Sequence, residues 1–388
     1  MYLLDKPFVS DFLIQTIKEK RYKVVATKAA KKLVSDEALE WISEEEALMI
    51  LKKYPTEPIY SNSENALSWI TQHLNEHELA KQIDLFKDKV KFRAFTKHLF
   101  PDFYFEQIKL EDIQKRSPES LSFPLVIKPS IGFFSIGVHI VTNEQDWVQA
   151  QDKLKPEKLQ NLFPANVLNT NHFIIEEFIE GEEYAVDYYY NDAGEVVLLN
   201  VMHHLFSSGK DTSDRVYTTS KEIITKHQSG IEGFLGNIGH QLNLKKFPAH
   251  AEVRIDASGK IVPIEINPLR FGGWCTTGDL LGVTLGFNSY QCFFENKRPD
   301  WETIFEGKED KKYSVVILDN STGVAPTDIE AFNYSKLANH FENPMLVRKL
   351  DIDEYPIFGF VFAETLANNT QELTHILKDD LKKYLILK

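Results

Sequence analysis

The chain has 388 residues, 43% of them apolar and 26% charged, and its 57 acidic against 44 basic side chains give a formal charge of -13. Those proportions exclude wholesale disorder and fibrous repeats, and at roughly 100–200 residues per domain the length calls for two or three folded units. The acidic balance works against nucleic acid, which needs a basic stripe to displace counterions, and no apolar run approaches the ~18 residues of a membrane span.

The first residues, Met1-Tyr2-Leu3-Leu4-Asp5-Lys6-Pro7, lack the apolar core of a signal peptide. Two cysteines, Cys275 and Cys292, stand in no metal-like or redox spacing. A cytoplasmic protein is expected. Tyr2-Leu3-Leu4 reads as a strand, Val9 to Lys20 as a helix, Tyr22 to Ala26 as a strand, Glu37 to Lys52 as a helix, Ile59-Tyr60 as extended and Ala66 to Leu79 as a helix. That order predicts a small, parallel, Rossmann-like sheet, but Asp5-Lys6-Pro7 stands where a dinucleotide-binding Gly-x-Gly-x-x-Gly would be needed. A helix at Lys89 to Leu99 follows. Strands are predicted at Tyr104–Gln107, Leu125–Lys128, Val138–Val141, Phe173–Phe178, Glu183–Tyr190, Val196–His203, Ala249–Asp256 and Ile261–Asn267. Tight turns pair several of them, so this region is expected to be largely antiparallel. Lys221 to Leu242 is a long amphipathic helix whose Gly233, Gly236 and Gly239 share a face suited to close packing. From Tyr313 the order is strand, helix, strand, strand, helix, with Thr327 or Asp328 capping the first helix and the last helix starting near Asn369.

The hairpin over 249–267 is the most informative stretch. A two-residue turn at Ser258-Gly259 sets Glu252 opposite Glu265 and Arg254 opposite Pro263, with Glu265 and Asn267 on one face. Two carboxylates with Cβ atoms ~5 Å apart repel unless a cation or proton lies between them. All-oxygen ligands suit Mg²⁺, which takes one or two carboxylates and completes its shell with substrate phosphates. A simply solvated polar face is the plain alternative.

Upstream, Leu125-Val126-Ile127-Lys128 ends an apolar strand in a lysine, followed by the loop Pro129 to Val138. A lysine beside a loop able to present backbone N–H groups suits a polyphosphate, although no Walker A pattern occurs. Phe173 to Phe178 is an apolar strand that turns acidic through Glu176, Glu177, Glu180, Glu182 and Glu183. A strand edge of this kind supplies the donor, acceptor and apolar walls an adenine needs, with a later carboxylate for ribose.

Asp88-Lys89, Lys128 with its loop, Glu176 to Glu183, and His250-Ala251-Glu252 with Glu265-Ile266-Asn267 together resemble the ATP-grasp superfamily, over roughly residues 85–295. His-x-Glu followed by Glu-x-Asn-Pro and Arg-x-Gly-Gly is most similar to its carboxylate–amine ligases, such as amino-acid, dipeptide and carnosine-synthase-like ligases. The resemblance implies a mixed α+β and α/β chain: a Rossmann-like pre-ATP-grasp domain over 1–86, an ATP-grasp domain of two α+β lobes clasping ATP over 87–300, and a C-terminal α+β extension over 301–388. It implies that Lys89 and Lys128 contact ATP phosphates and that the loop carrying Ser130, Ser135 and Gly137 closes over them. Glu176 would accept from the adenine amino group, Glu177, Phe178 and Ile179 would border the ring, and Glu183 would bind ribose. Glu252, Glu265 and Asn267 would ligate one or two Mg²⁺ ions, with Mn²⁺ as a substitute, and Arg270, together with Lys128, would act in catalysis by stabilising the acyl phosphate. Two departures stand out. Asn267-Pro268-Leu269-Arg270 carries one residue more than the family's usual spacing, which on a regular strand turns Arg270 to the opposite face unless Pro268 breaks the strand, and the phosphate loop is poorer in glycine than the family's, carrying Phe133 and Phe134.

The activity implied is ADP-forming ligation of a small carboxylate, such as an amino acid, to an amine, without a protein nucleophile. The alternatives are a carboxylase working through carboxyphosphate and an ATP-binding protein without turnover. Partners are then small-molecule acids and amines, with a homodimer allowed and neither nucleic acid nor membrane expected. His203 and His204 read as satisfied rather than zinc-binding. The polar loop Ser207 to Ser220, with Lys210, Asp214, Arg215 and Tyr217, is long enough for a substrate lid, with Arg215 the candidate for a substrate carboxylate. Trp274 is either a pocket wall or core.

Overall fold

Strands β1 (Tyr2–Leu3), β2 (Lys23–Val25), β3 (Glu40–Ile42) and β4 (Tyr60–Ser61) pair in parallel in the order β3-β2-β1-β4. They belong to a computed structural model that describes residues 1–132, 137–155, 172–209, 211–355 and 357–388. The parallel N-terminal sheet is as expected, with one correction. The segment from Glu37 is not a continuous helix: Glu40–Ile42 is extended, and the helix begins only at Glu44 and runs to Lys53. The reason is local, because the Ser43 side chain accepts from Glu46 N and so caps a helix start there. The stretch from Ala66 is likewise two helices, Leu67–His73 and Glu78–Lys87.

By its contacts the chain divides into two units, one of residues 1–81, 182–207 and 215–388, the other of residues 82–181 and 208–214. The second unit holds an antiparallel sheet of β5 (Phe105–Lys109), β6 (Leu125–Pro129), β7 (His139–Val141) and β8 (His172–Glu177), in the order β5-β8-β6-β7. Its core gathers Ile127, Val141, Trp147, Phe173 and Ile175. The helix Lys89–Thr96 starts where the Asp88 carboxylate accepts from Val90 N and Lys91 N.

The first unit is built on an eight-stranded antiparallel sheet in the order β13-β12-β9-β10-β11-β14-β17-β16. Its strands are β9 (Glu182–Tyr190), β10 (Val196–Leu205), β11 (Val216–Thr219), β12 (Phe247–Ile255), β13 (Ile261–Pro268) and β14 (Lys311–Asp319), then β16 (Asn343–Lys349) and β17 (Ile357–Leu366). β15 (Ile329–Phe332) and β18 (Leu385–Leu387) form a separate pair. Near the C-terminus, Thr327 and Asp328 lie in a 3₁₀ turn, and the helix cap is Asn333, which accepts from Lys336 N before Tyr334–Ala338. The helix Lys221–Gln241 packs on β9 through Gly239 alone of its three spaced glycines. A Cβ there would lie 2.0 Å from a Tyr190 ring carbon, whereas Gly233 and Gly236 have nothing within 4 Å. Among the described residues no helix is long and apolar enough to cross a membrane.

Candidate active site

The hairpin β12–β13 places Glu252 directly opposite Glu265, as its alternation predicts, but reaches that pairing by a different route. The tip is longer than a two-residue turn. Asp256 closes it by accepting from Ser258 N and Lys260 N at 2.8 and 3.0 Å, and Ile255 pairs with Ile261. A β-bulge at Ile264 then adds one residue to β13, so that Arg254 faces Val262 rather than Pro263 while Glu252 still meets Glu265.

Three polar rungs cross one face of this sheet. In the outermost, the Glu183 carboxylate accepts from Arg254 Nε at 3.1 Å and bonds His204 Nδ1 at 2.8 Å. Burial would raise the Glu183 carboxyl, but the bonds from His204 and Arg254 hold it below the usual range. The middle rung is Glu265 opposite Glu252, which in turn faces Ala185. The innermost is Asn267–His250–Asp187–Asn200, four buried polar residues on four adjacent strands. His250 Nδ1 lies 2.6 Å from Asp187 Oδ1, so the ring proton sits on Nδ1, and Nε2 is 4.0 Å from Glu252 Oε1. Asn267 Nδ2 donates to Glu265 Oε1 at 3.0 Å.

The chain leaves β13 abruptly. Leu269, fully buried, takes a left-handed φ of 60°, and its carbonyl accepts from Ser61 N at 2.7 Å. This break, not strand alternation, sets the direction of Arg270, whose Nη2 donates to Glu64 Oε1 at 3.0 Å. Gly272 follows, its N–H directed at Asp187 Oδ1 (3.0 Å) and Thr277 Oγ1 (3.1 Å). A Cβ at this position would fall 2.3 Å from the Thr277 methyl carbon, so only glycine fits.

The donor set Glu252, Glu265 and Asn267 fits a hard divalent cation. It is all oxygen, its two carboxylates face one another across a strand pair, and with one oxygen from each residue it leaves half of a six-ligand shell for water and phosphate. Among the described residues no three or more His, Cys, Asp or Glu are grouped so as to hold a metal ion.

In the second unit, Lys128 Nζ lies 2.7 Å from Glu176 Oε1, and Arg93 Nε donates to Glu176 Oε2 at 2.6 Å. All three side chains are buried. Burial alone would raise the Glu176 carboxyl, but Arg93 and Lys128 outweigh it and hold it at about 2. Burial lowers the Lys128 ammonium below its ordinary range, against the pull of Glu176. Both Glu176 oxygens serve buried cations, so an adenine amino group, the partner the resemblance implies for this side chain, would have to share an oxygen with Arg93 or Lys128. Ser130 N bonds His172 O at 3.0 Å, and its carbonyl accepts from Lys89 N at 2.9 Å, which ties the helix start at Lys89 to the loop after β6. Gly137 has a left-handed φ of 76°. Glu177 is exposed, and its carboxylate accepts from Tyr104 N at 3.1 Å, Phe178 N donates to Pro124 O, and Ile179 is buried. Ser135, with Phe133 and Phe134, lies outside the described residues, as does Lys210.

Arg215 is not held ready for a substrate. It is buried, pairs with Asp319 at 2.6 Å and donates to the carbonyls of Ile376 and Asp379. His203 and His204 are satisfied by Glu182 and Glu183, each at 2.8 Å. Trp274 is core, and its carbonyl accepts from Arg348 at 2.6 Å. Arg93 and Asp187 escape a linear reading. Arg93 comes one helical turn after Lys89 with no motif to mark it, and the only signal at Asp187 is a lone carboxylate in the apolar run Tyr184 to Tyr190.

Residues 121–278 match the ATP-grasp domain family. No curated protein sequence matches the chain. Among solved structures, an L-amino acid ligase from Bacillus licheniformis superposes with a TM-score of 0.69 at 17% identity, covering 100% of this chain and 98% of that one. A biotin carboxylase from Campylobacter jejuni gives 0.60 at 12% identity, with 100% and 92% covered. An N5-carboxyaminoimidazole ribonucleotide synthetase from Thermotoga maritima gives 0.59 at 15% identity, with 100% and 98% covered. At these identities the likeness is one of fold.

Proposed function

We propose that this chain, which carries an ATP-grasp domain, is an ATP-dependent, ADP-forming ligase that joins a carboxylate to an amine through an acyl phosphate. The observation that carries this reading is the rung of two facing carboxylates, Glu252 and Glu265, with Asn267 beside them and Arg270 three residues on. Such a pair is a poor structural device, since like charges opposed across strands destabilise the sheet, and a good seat for a divalent cation. Mg²⁺ bound there would neutralise charge on the phosphate oxygens.

The remaining work falls to the chain's own groups. Lys89 and Lys128 supply positive charge for nucleotide phosphates, and Glu176 orients Lys128. Glu177 to Ile179 offer backbone groups and an apolar wall to a base. The anionic Glu183 is available to ribose hydroxyls through lone pairs not used by Arg254 and His204. Arg270, steadied by Glu64, lies next in sequence to the metal rung, where it would meet the negative charge of an acyl phosphate and of the tetrahedral species formed when the amine attacks. Phosphoryl transfer asks for positioning and charge neutralisation, and these groups provide both.

The test is ADP release over a panel of amino acids and other small acids, singly and paired with amines. An acid–amine pair that drives ADP release and yields an amide supports the ligase. Bicarbonate-dependent release would replace it with a carboxylase, and tight Mg-ATP binding without release would make the chain a binding protein. In the active system Glu265→Gln is expected to lower turnover at least ~100-fold while leaving the fold intact, and full activity would remove Glu265 from the metal site.

A further inference from the structure

We infer that Asp187 is a positioning residue of this reaction, locking the metal-ligand strand and the Arg270 turn to each other through a single carboxylate oxygen. The inference rests on the ligase reading above. Asp187 Oδ1 accepts at once from His250 Nδ1 at 2.6 Å and from Gly272 N at 3.0 Å. His250 stands two residues before Glu252 and directly opposite Asn267, while Gly272 stands two residues after Arg270. One atom on β9 therefore ties the His250 ring to the backbone of the Arg270 turn, beside the backbone bond from Leu269 N to Pro248 O at 2.7 Å.

Three features argue that the arrangement is not there for packing. Asp187 is 1% exposed in a strand whose neighbours are tyrosine and valine, where an apolar residue would be the stable choice. Its Oδ2 has no hydrogen-bond partner among the described residues, and neither has either amide atom of the cross-strand Asn200, which is fully buried. A buried carboxylate kept half-satisfied costs stability, and such costs collect where geometry serves chemistry. Finally, the turn that carries the Gly272 N–H to the carboxylate holds this residue so close to Thr277 that a Cβ here would collide with it. The turn is shaped to bring that donor in.

The experiment compares Asp187→Asn, which keeps one accepting oxygen without the charge, with Asp187→Leu, which keeps neither. For folded full-length protein, checked by circular dichroism and thermal melting, three quantities are read. They are kcat, the KM for ATP at saturating Mg²⁺, and Mn²⁺ affinity by electron paramagnetic resonance with a non-hydrolysable ATP analogue. By the usual cost of disturbing residues behind metal ligands, kcat should fall ~10-fold in the Asn variant and ~100-fold in the Leu variant, with Mn²⁺ affinity down ~10-fold and the ATP KM within ~3-fold. A merely structural role lowers the folded fraction without moving Mn²⁺ affinity. If Asp187→Leu does not fold, Asp187→Asn decides alone, and Mn²⁺ affinity and kcat within about twofold of the parent overturn the inference. If the parent releases no ADP with any pair, the ligase reading fails, and the Mn²⁺ measurement still decides the role of Asp187.

Discussion

Glu176 shows how far position alone carries a functional assignment. Its place at the acidic end of β8 marks it for the nucleotide, yet its carboxylate lies between Arg93 and Lys128, 2% exposed, with both oxygens engaged. What a linear reading lacks is the partner, because nothing in the spacing of the helix Lys89–Thr96 says that Arg93 turns inward to meet β8. Removing the anion leaves two buried cations facing one another, so Glu176→Gln should destabilise the protein by about 3–5 kcal/mol in urea unfolding near neutral pH. The pH dependence has a definite sign. Glu176 has a folded pKa lowered from 4.5 to about 2, so its contribution is complete above 4.5 and is lost as pH falls towards 2. The stability gap between the parent and Glu176→Gln should therefore narrow from pH 5 to pH 3, and a gap that stays constant or widens would contradict the assignment.

Elements proved more legible than their junctions. The parallel N-terminal strands, the antiparallel hairpins and the long helix after Ser220 follow from alternation and amphipathic spacing. The errors fall where a cap or a bulge overrides the period, as at Ser43 and Ile264. The three glycines on the helix Lys221–Gln241 make the same point, since spacing treats them alike and packing does not. Gly239→Ala pushes a methyl into the buried Tyr190 ring, whose hydroxyl is held by the Leu235 carbonyl at 2.8 Å, and should cost ~1–3 kcal/mol. Gly236→Ala meets open space and should gain up to ~1 kcal/mol from helix propensity. Denaturant melts of the two variants should move in opposite directions. The candidate site divides in a similar way. The facing of Glu252 and Glu265 is readable from strand alternation, even though a bulge alters the register beside it. The supporting residues, Asp187 and Glu64 near the carboxylate rung and Arg93 beside Glu176 in the other unit, are supplied by elements far away in sequence.

For the molecule as a whole, sheet membership matters more than sequence distance. The residues after 300 read as an appendage, yet β14 pairs with β11 and brings β17 and β16 into the same sheet as the Glu252–Glu265 rung. Val216 shares a core cluster with Val316, Phe358 and Val361. Arg215 pairs with Asp319 and donates to the carbonyls of Ile376 and Asp379, and Arg348 pairs with Asp279. A chain ended at residue 300 would expose the β11 edge and strand two buried charges, so it should fail to accumulate as soluble folded protein. Recovery of a soluble monomer with a cooperative melt would show that the last strands are separable after all.

The bulge at Ile264 has a bearing on how this hairpin tolerates change. It lies between the Asp256–Lys260 tip and the Glu252–Glu265 rung, and the two sides of it keep different counts of residues. The bulge thus acts as a slip joint. A residue gained or lost at the tip can be taken up at Ile264 before it reaches the rung, which would otherwise turn one carboxylate to the far face of the sheet. Length in the tip is then free to drift, while the alignment of the two acids stays protected.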